Sequence, residues 1–230
     1  RDVENLSSVG VLKNVVHIPQ GMKAFPDKEK SSVRKGIFTR SSIISTFGFF
    51  LPPKGIRETI RSLPLLKSTY PDILFLVVSS LYPAPISRDY FDACKRDVEE
   101  LGLKSNVAFI TEFLDDEEII ELLQASDIIV MPYQETKESS SAAVRFALAS
   151  SRPVLVTDNH IFDEFSSSVY RIPQCSPEEI AKGVLDLYKD EALQRRIVDG
   201  AKAMIEEMCW TNVSEKYEGL IWEICPPISD

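Results

Sequence analysis

The stretch NVAFITEFLDDEEIIELLQASDIIVMPY, residues 106–133, decides the fold. It opens on a short apolar run, NVAFI (106–110), and closes on another, IIVMP (128–132). Between them DDEEIIELLQAS (115–126) reads as a helix, because four leading acids suit the positive end of a helix dipole. Neither apolar run alternates with polar residues, the pattern of strands covered on both faces. A strand, a helix and a second strand at this spacing form a parallel pair joined by a right-handed crossover.

The same alternation continues outward. Further strands are expected at NVVHIP (14–19), IISTFGF (43–49), ILFLVVSS (73–80), PVLVT (153–157) and SVYRI (168–172). Helical spacing fills the intervals. Residues 54–70 place Ile56, Ile60, Leu63 and Leu66 at three- and four-residue steps, and 87–103 end on Gly102 as a C-cap. In 176–190, Ser176 is the N-cap, Pro177 the first helical residue and Glu179 the partner in a capping box. Helices over 191–207 and 211–224 follow. The predicted fold is α/β: a Rossmann-like open parallel sheet of about six or seven strands with helices on both faces. Residues 20–40 read as an irregular excursion.

Composition fits a globular chain able to bury roughly 70% of its unfolded surface without a disulfide or metal staple. Of 230 residues, 44% are hydrophobic and 27% charged, and the net charge of −9 excludes a general nucleic-acid binder. Lys23, Lys28, Lys30, Arg34, Lys35 and Arg40 crowd one segment, which reads as a solvated loop or as a phosphate- or membrane-facing patch. Cys94, Cys175, Cys209 and Cys225 lack CxxC spacing, and His17 and His160 lack metal-ligand neighbours, so no metal is expected. Reduced thiols and the lack of a signal peptide point to the cytoplasm. The chain begins RDVENL, without methionine, which suggests a fragment.

An open parallel sheet binds ligands beyond the carboxyl ends of its strands, where strand order reverses. That directs attention to 20–22, 48–54, 79–83, 111–114 and 133–141. In FGFFLPPKG (47–55), Gly48 would let backbone approach a ligand, and Lys54, stiffened by two prolines, would bring a cation to a phosphate. The bland alternative is a tight turn with a surface lysine. In ESSSAAVR (138–145), Glu138 precedes three serines at a helix start, where free N–H groups and the dipole favour an anion. Simple capping needs one serine, not three. Arg145 lies four residues after Ser141, hence on the same helical face. Lys54 and the serine turn are expected to share one hollow.

Taken in order, NVVHIPQG, STFGFFLPPKGIRETIRSLPLL, ILFLVVSS, the 106–133 stretch and ESSSAAVRFALASSRPVLVTD resemble the C-terminal half of a family 4-type glycosyltransferase of the GT-B fold (glycosyl transferases group 1). The resemblance implies a leader or linker at 1–13, a nucleotide-sugar-binding domain at 14–209, and a crossover helix and tail at 210–230. It implies a retaining, metal-independent hexosyltransferase of polysaccharide or glycan biosynthesis, with the acceptor held by an absent N-terminal domain. Any peripheral membrane association would belong to that domain, and the isolated chain would turn over nothing. Lys54 matches the family lysine on the donor diphosphate. Glu138 matches the glutamate near the transferred sugar, and Ser139, Ser140 and Ser141 match the helix start that holds the diphosphate. Thr111, Glu112 and Phe113 fall where the base lodges; Gly48, Phe49, Phe50, Ser79 and Tyr133 complete the expected substrate contacts. The sequence departs from the family at Phe49, where arginine is frequent, and at Phe146, where a second glutamate stands. Ser79 and Ser80 replace a glycine-rich turn, and Gln20-Gly21 the usual Asn-Gly. Arg145 is expected to compensate by meeting a phosphate. Two further readings share the architecture: a degenerate, non-catalytic module and half of a sugar-nucleotide epimerase.

Overall fold

The computed structural model describes all residues except 1, 11–14, 35–41, 137, 139 and 226–230. Its strands are β1 (Ile43–Phe49), β2 (Leu74–Ser80), β3 (Val107–Ile110), β4 (Ile128–Met131), β5 (Val154–Thr157) and β6 (Tyr170–Ile172). Its helices are α1 (Asp2–Ser8), α2 (Lys30–Val33), α3 (Ile56–Lys67), α4 (Pro85–Glu100), α5 (Asp116–Gln124), α6 (Ala142–Ala149), α7 (Pro177–Lys189), α8 (Glu191–Glu207) and α9 (Trp210–Ile224). The six strands form one sheet in the order β3-β2-β1-β4-β5-β6, and every pairing is parallel.

The chain starts the sheet at its centre with β1, winds out to β3, then returns to β4 on the other side of β1. Right-handed crossovers wound in opposite directions must put helices on opposite faces. Side-chain alternation along β4 shows this directly. Ile128 and Val130 join the core formed with α3, α4 and α7, whereas Ile129 and Met131 join the core formed with α5, α6 and α8. Both faces are therefore dry, which explains why the strand sequences read as unbroken apolar runs.

The helix in the deciding stretch starts where its acids indicate. Asp115 caps α5 by accepting the Glu118 N–H at 2.9 Å, and Glu118 accepts the Asp115 N–H at 3.0 Å, a reciprocal capping box. Ile119, Ile120 and Leu123 then bury one face against the sheet.

The predicted strand at 14–19 is corrected. Asn14 lies outside the described residues, and residues 15–19 join no strand. Both edges of β1 are already taken by β2 and β4, so this run cannot enter the sheet beside the central strand. Val16 is exposed, and the chain is anchored only farther on, at the α8–α9 junction, where the Met22 N–H donates to the Met208 carbonyl at 2.7 Å.

The basic segment is held down by acids of α5 and by Asp127, just before β4. Lys23 pairs with Asp116 and Glu117, Lys28 with Glu121, and Lys30 and Arg34 both with Asp127. This is the loop reading; the described cations are partnered rather than presented as a patch. Lys35 and Arg40 lie outside the described residues.

Candidate functional site

At the carboxyl edge of the sheet, β1 and β4 lead into connections of opposite sense, and a hollow of about 360 Å³ opens above them. Its wall includes Gly48, Phe49, Lys54, Ser80, Glu112, Phe113, Glu138, Ser140, Ser141 and Phe146. Lys54 and Ser140 thus share one cavity, as the sequence requires. The cavity reaches from the end of β3 to the end of β4, three strand spacings or about 14 Å. That is the span from a nucleobase to the second phosphate of a nucleoside diphosphate.

Lys54 is positioned by its turn. Pro52–Lys54 form one 3-10 turn, with prolines fixing its start. Gln134 N–H donates to the Pro53 carbonyl at 2.8 Å and ties this turn to the end of β4. Gly55 ends it at φ +69°, and a Cβ there would lie 2.3 Å from the Pro132 carbonyl oxygen, so only glycine fits. The Lys54 side chain is 13% exposed and its Nζ stands 3.4 Å from Glu138 Oε2. The same Nζ lies 4.0 Å from the centroid of the Tyr133 ring, a cation–π contact.

Tyr133 also reaches the second half of the cradle. Its hydroxyl lies 3.3 Å from Ser141 Oγ, and Ser141 caps α6 by accepting the Val144 N–H at 3.4 Å. Ala142 and Ala143 line the cavity next to it, so the first turn of α6 shows backbone N–H groups rather than bulk to the hollow. Gly48, at φ +136°, ends β1 opposite that turn; its Cβ would stand 3.7 Å from Ala143 Cβ.

Several expected residues lie elsewhere. Phe50 is fully buried and packs on Tyr90, Phe91 and Phe109, so it is a core residue and not part of the wall. Ser79 is buried in β2 opposite Gly48, and its neighbour Ser80 lines the cavity instead. Thr111 does not line the cavity; its N–H donates to Glu112 Oε2 at 3.0 Å. Tyr133 stands behind Lys54 and lines a neighbouring hollow. Ser139 lies outside the described residues.

Arg145 departs most from its expected role. It is 5% exposed and lines a smaller adjoining hollow rather than the main cavity. Its Nη2 donates to both oxygens of Glu164, at 3.0 and 2.9 Å, and its Nε donates to Gln20 Oε1 at 3.3 Å. The guanidinium charge is thereby neutralised inside the protein. Ser140 Oγ donates to Glu164 Oε1 at 3.2 Å and accepts from Arg145 Nη2 at 3.4 Å. Arg145 therefore steadies the helix start through Ser140. Glu164, on the 3-10 helix His160–Phe165, escaped the sequence reading because that element carries no periodic pattern.

Charge on the cavity wall is acidic overall. Among the described lining residues Lys54 is the one base, against Glu112, Asp116 and Glu138. Asp116 pairs with Lys23 at 3.1 Å. Phe146, in place of an acid, packs at 5.5 Å on Phe47 and 6.0 Å on Phe25, which makes that part of the wall apolar. Among the described residues no group of three His, Cys, Asp or Glu side chains is placed to hold a metal ion.

A doubly wound parallel sheet with a crevice at its switch point defines a Rossmann-like α/β domain. Comparison with known proteins narrows the class. The sequence pattern described as glycosyl transferases group 1 matches residues 27–204, and the chain belongs to that family. The structure is similar to the C-terminal domain of the glycosyl transferase group 1 family protein LpcC from Francisella tularensis, with a TM-score of 0.65 and 21% identity over 84% of this chain and 95% of that one. It is also similar to sucrose-phosphate synthase from Thermosynechococcus elongatus, with a TM-score of 0.76 and 17% identity over 96% of this chain and 56% of that one. Anabaena HepE, solved with UDP and glucose, gives a TM-score of 0.70 and 18% identity over 83% of this chain and 51% of that one. This chain thus has the fold of the C-terminal domain of GT-B glycosyltransferases and spans about half the length of the latter two.

Proposed function

We propose that the cavity binds a nucleoside-diphosphate sugar and that the chain is the donor half of a retaining hexosyltransferase whose acceptor is held by a second domain. The observation that carries this reading is the convergence of Lys54 and the α6 start on one hollow, about one nucleoside diphosphate long, at the switch point. The diphosphate lies between Lys54 Nζ and the first-turn N–H groups of α6. The base extends toward Glu112 and Phe113. Cleavage of the sugar–phosphate bond builds charge on the leaving diphosphate, and donors already aimed at that position stabilise it without reorganisation. Glu138, beside Lys54, orients the sugar hydroxyls. No metal enters this scheme, because Lys54 and the helix dipole supply the positive charge.

A second reading, a nucleotide-binding module without turnover, is favoured by Phe49 and Phe146 on the wall and by the single cation among its described residues. Thermal melting with UDP, GDP and their hexose conjugates tests the main proposal. A nucleotide-dependent rise of several degrees is expected; an unchanged transition with every nucleotide removes both readings. Turnover by the chain joined to an acceptor domain separates the two.

A further inference from the structure

An acid in the wall of a cavity that takes an anion is unfavourable unless it is neutralised or meets a donor on the ligand. Of the three acids here, Asp116 has Lys23 and Glu138 has Lys54. Among the described residues Glu112 makes no ion pair. Its carboxylate is nonetheless held in place. Oε2 accepts the Thr111 N–H at 3.0 Å, and Ser80 Oγ donates to the Glu112 carbonyl at 2.9 Å. The group sits at the β3 end of the cavity, farthest from Lys54. Beside it Phe113 is 86% exposed and offers a ring face.

Resting on the donor reading above, we propose that this end of the cavity selects guanine, so that the donor is a GDP-sugar. A carboxylate is acceptor-only, with two oxygens that take two parallel N–H donors. Among the common nucleobases guanine alone presents two adjacent donors, N1–H and N2–H, on one edge. Uracil sets its N3–H between two carbonyl oxygens that would face the carboxylate. Adenine and cytosine each offer an amino N–H beside a ring-nitrogen acceptor. Phe113 stacks on the base and contributes affinity without choosing among bases. Selection therefore rests on Glu112, and a base that leaves the carboxylate without donors is rejected.

Calorimetric titration of the full chain with GDP, UDP and ADP, repeated on Glu112→Gln, tests the assignment. Glutamine keeps an oxygen for the Thr111 N–H, so the loop is retained. GDP is expected to bind at least tenfold tighter than UDP or ADP. Glu112→Gln should weaken GDP at least tenfold and change UDP less than threefold. UDP or ADP binding as tightly as GDP, or a GDP preference that survives the substitution, overturns guanine selection and leaves the donor site standing. A folded protein that binds none of the three overturns the donor reading and this assignment with it.

Discussion

Glu138 pairs with Lys54, so in the proposed donor site removing its charge should strengthen the grip on a diphosphate. Glu138 Oε2 is 3.4 Å from Lys54 Nζ, with the glutamate side chain 54% exposed and the lysine 13% exposed. Two unit charges at this separation interact by about 1 kcal/mol in a water-like dielectric, and an exposed partner keeps the value near that limit. A diphosphate must displace this pairing or lie beside the carboxylate. Glu138→Gln should thus tighten UDP or GDP, without sugar, by about 1 kcal/mol, roughly fivefold. Lys54→Met moves affinity the other way: a hydrogen bond to a charged group contributes about 1.5–3 kcal/mol, so binding weakens roughly ten- to a hundredfold. In the double variant the gain from Glu138→Gln should vanish, because its partner is gone. Isothermal calorimetry reads all three. Weaker binding of the bare nucleotide by Glu138→Gln, or an unchanged Lys54→Met, refutes the argument that Lys54 receives the diphosphate and that Glu138 competes for it.

Other expectations follow from the same contacts. Gly55→Ala places a Cβ 2.3 Å from the Pro132 carbonyl oxygen at φ +69°, so it should cost about 1–3 kcal/mol in chemical denaturation and weaken nucleotide binding by shifting the Lys54 turn. Glu164→Ala leaves the Arg145 charge buried and unpaired and should lower stability by about 3 kcal/mol, whereas Arg145→Met should cost less; melting temperatures rank the two. Burial opposes ionisation of Asp127, but Lys30, the Ile43 N–H and Arg34 outweigh it and hold its pKa below the ordinary value. Burial likewise opposes ionisation of Asp97, and Arg57 and Arg61 lower its pKa overall. Folded values below unfolded ones give stability that is full well above about pH 4 and lost as pH falls through the folded values. Asp127→Asn should lower the neutral-pH melting temperature and flatten the acid limb of the melting curve.

The sheet was legible because its strands are dry on both faces. Runs such as those around Ile44, Val77 and Ile129 announce themselves without alternation, and Asp115–Glu118 marks a helix start by chemistry alone. The same cue misled at 14–19, since an apolar run has no address: the described residues 15–19 join no strand, and Val16 is exposed. Lys54 and Ser140 could be placed from chain order, because strand ends face one rim. The direction of a side chain could not. Phe49 and Phe50 are adjacent, yet one faces the cavity and the other the core, and Arg145 turns to an acid on an element with no sequence signature.

The Lys54 turn and the α6 start meet at the junction between the outbound and the returning halves of the sheet, while Glu112 and Phe113 stand two strands away on the outbound half. On the proposed reading, grip on the leaving group and choice of nucleoside are carried by different loops anchored in different strands. On that reading, mutation of one loop would retune the nucleoside accepted without loosening the hold on the diphosphate.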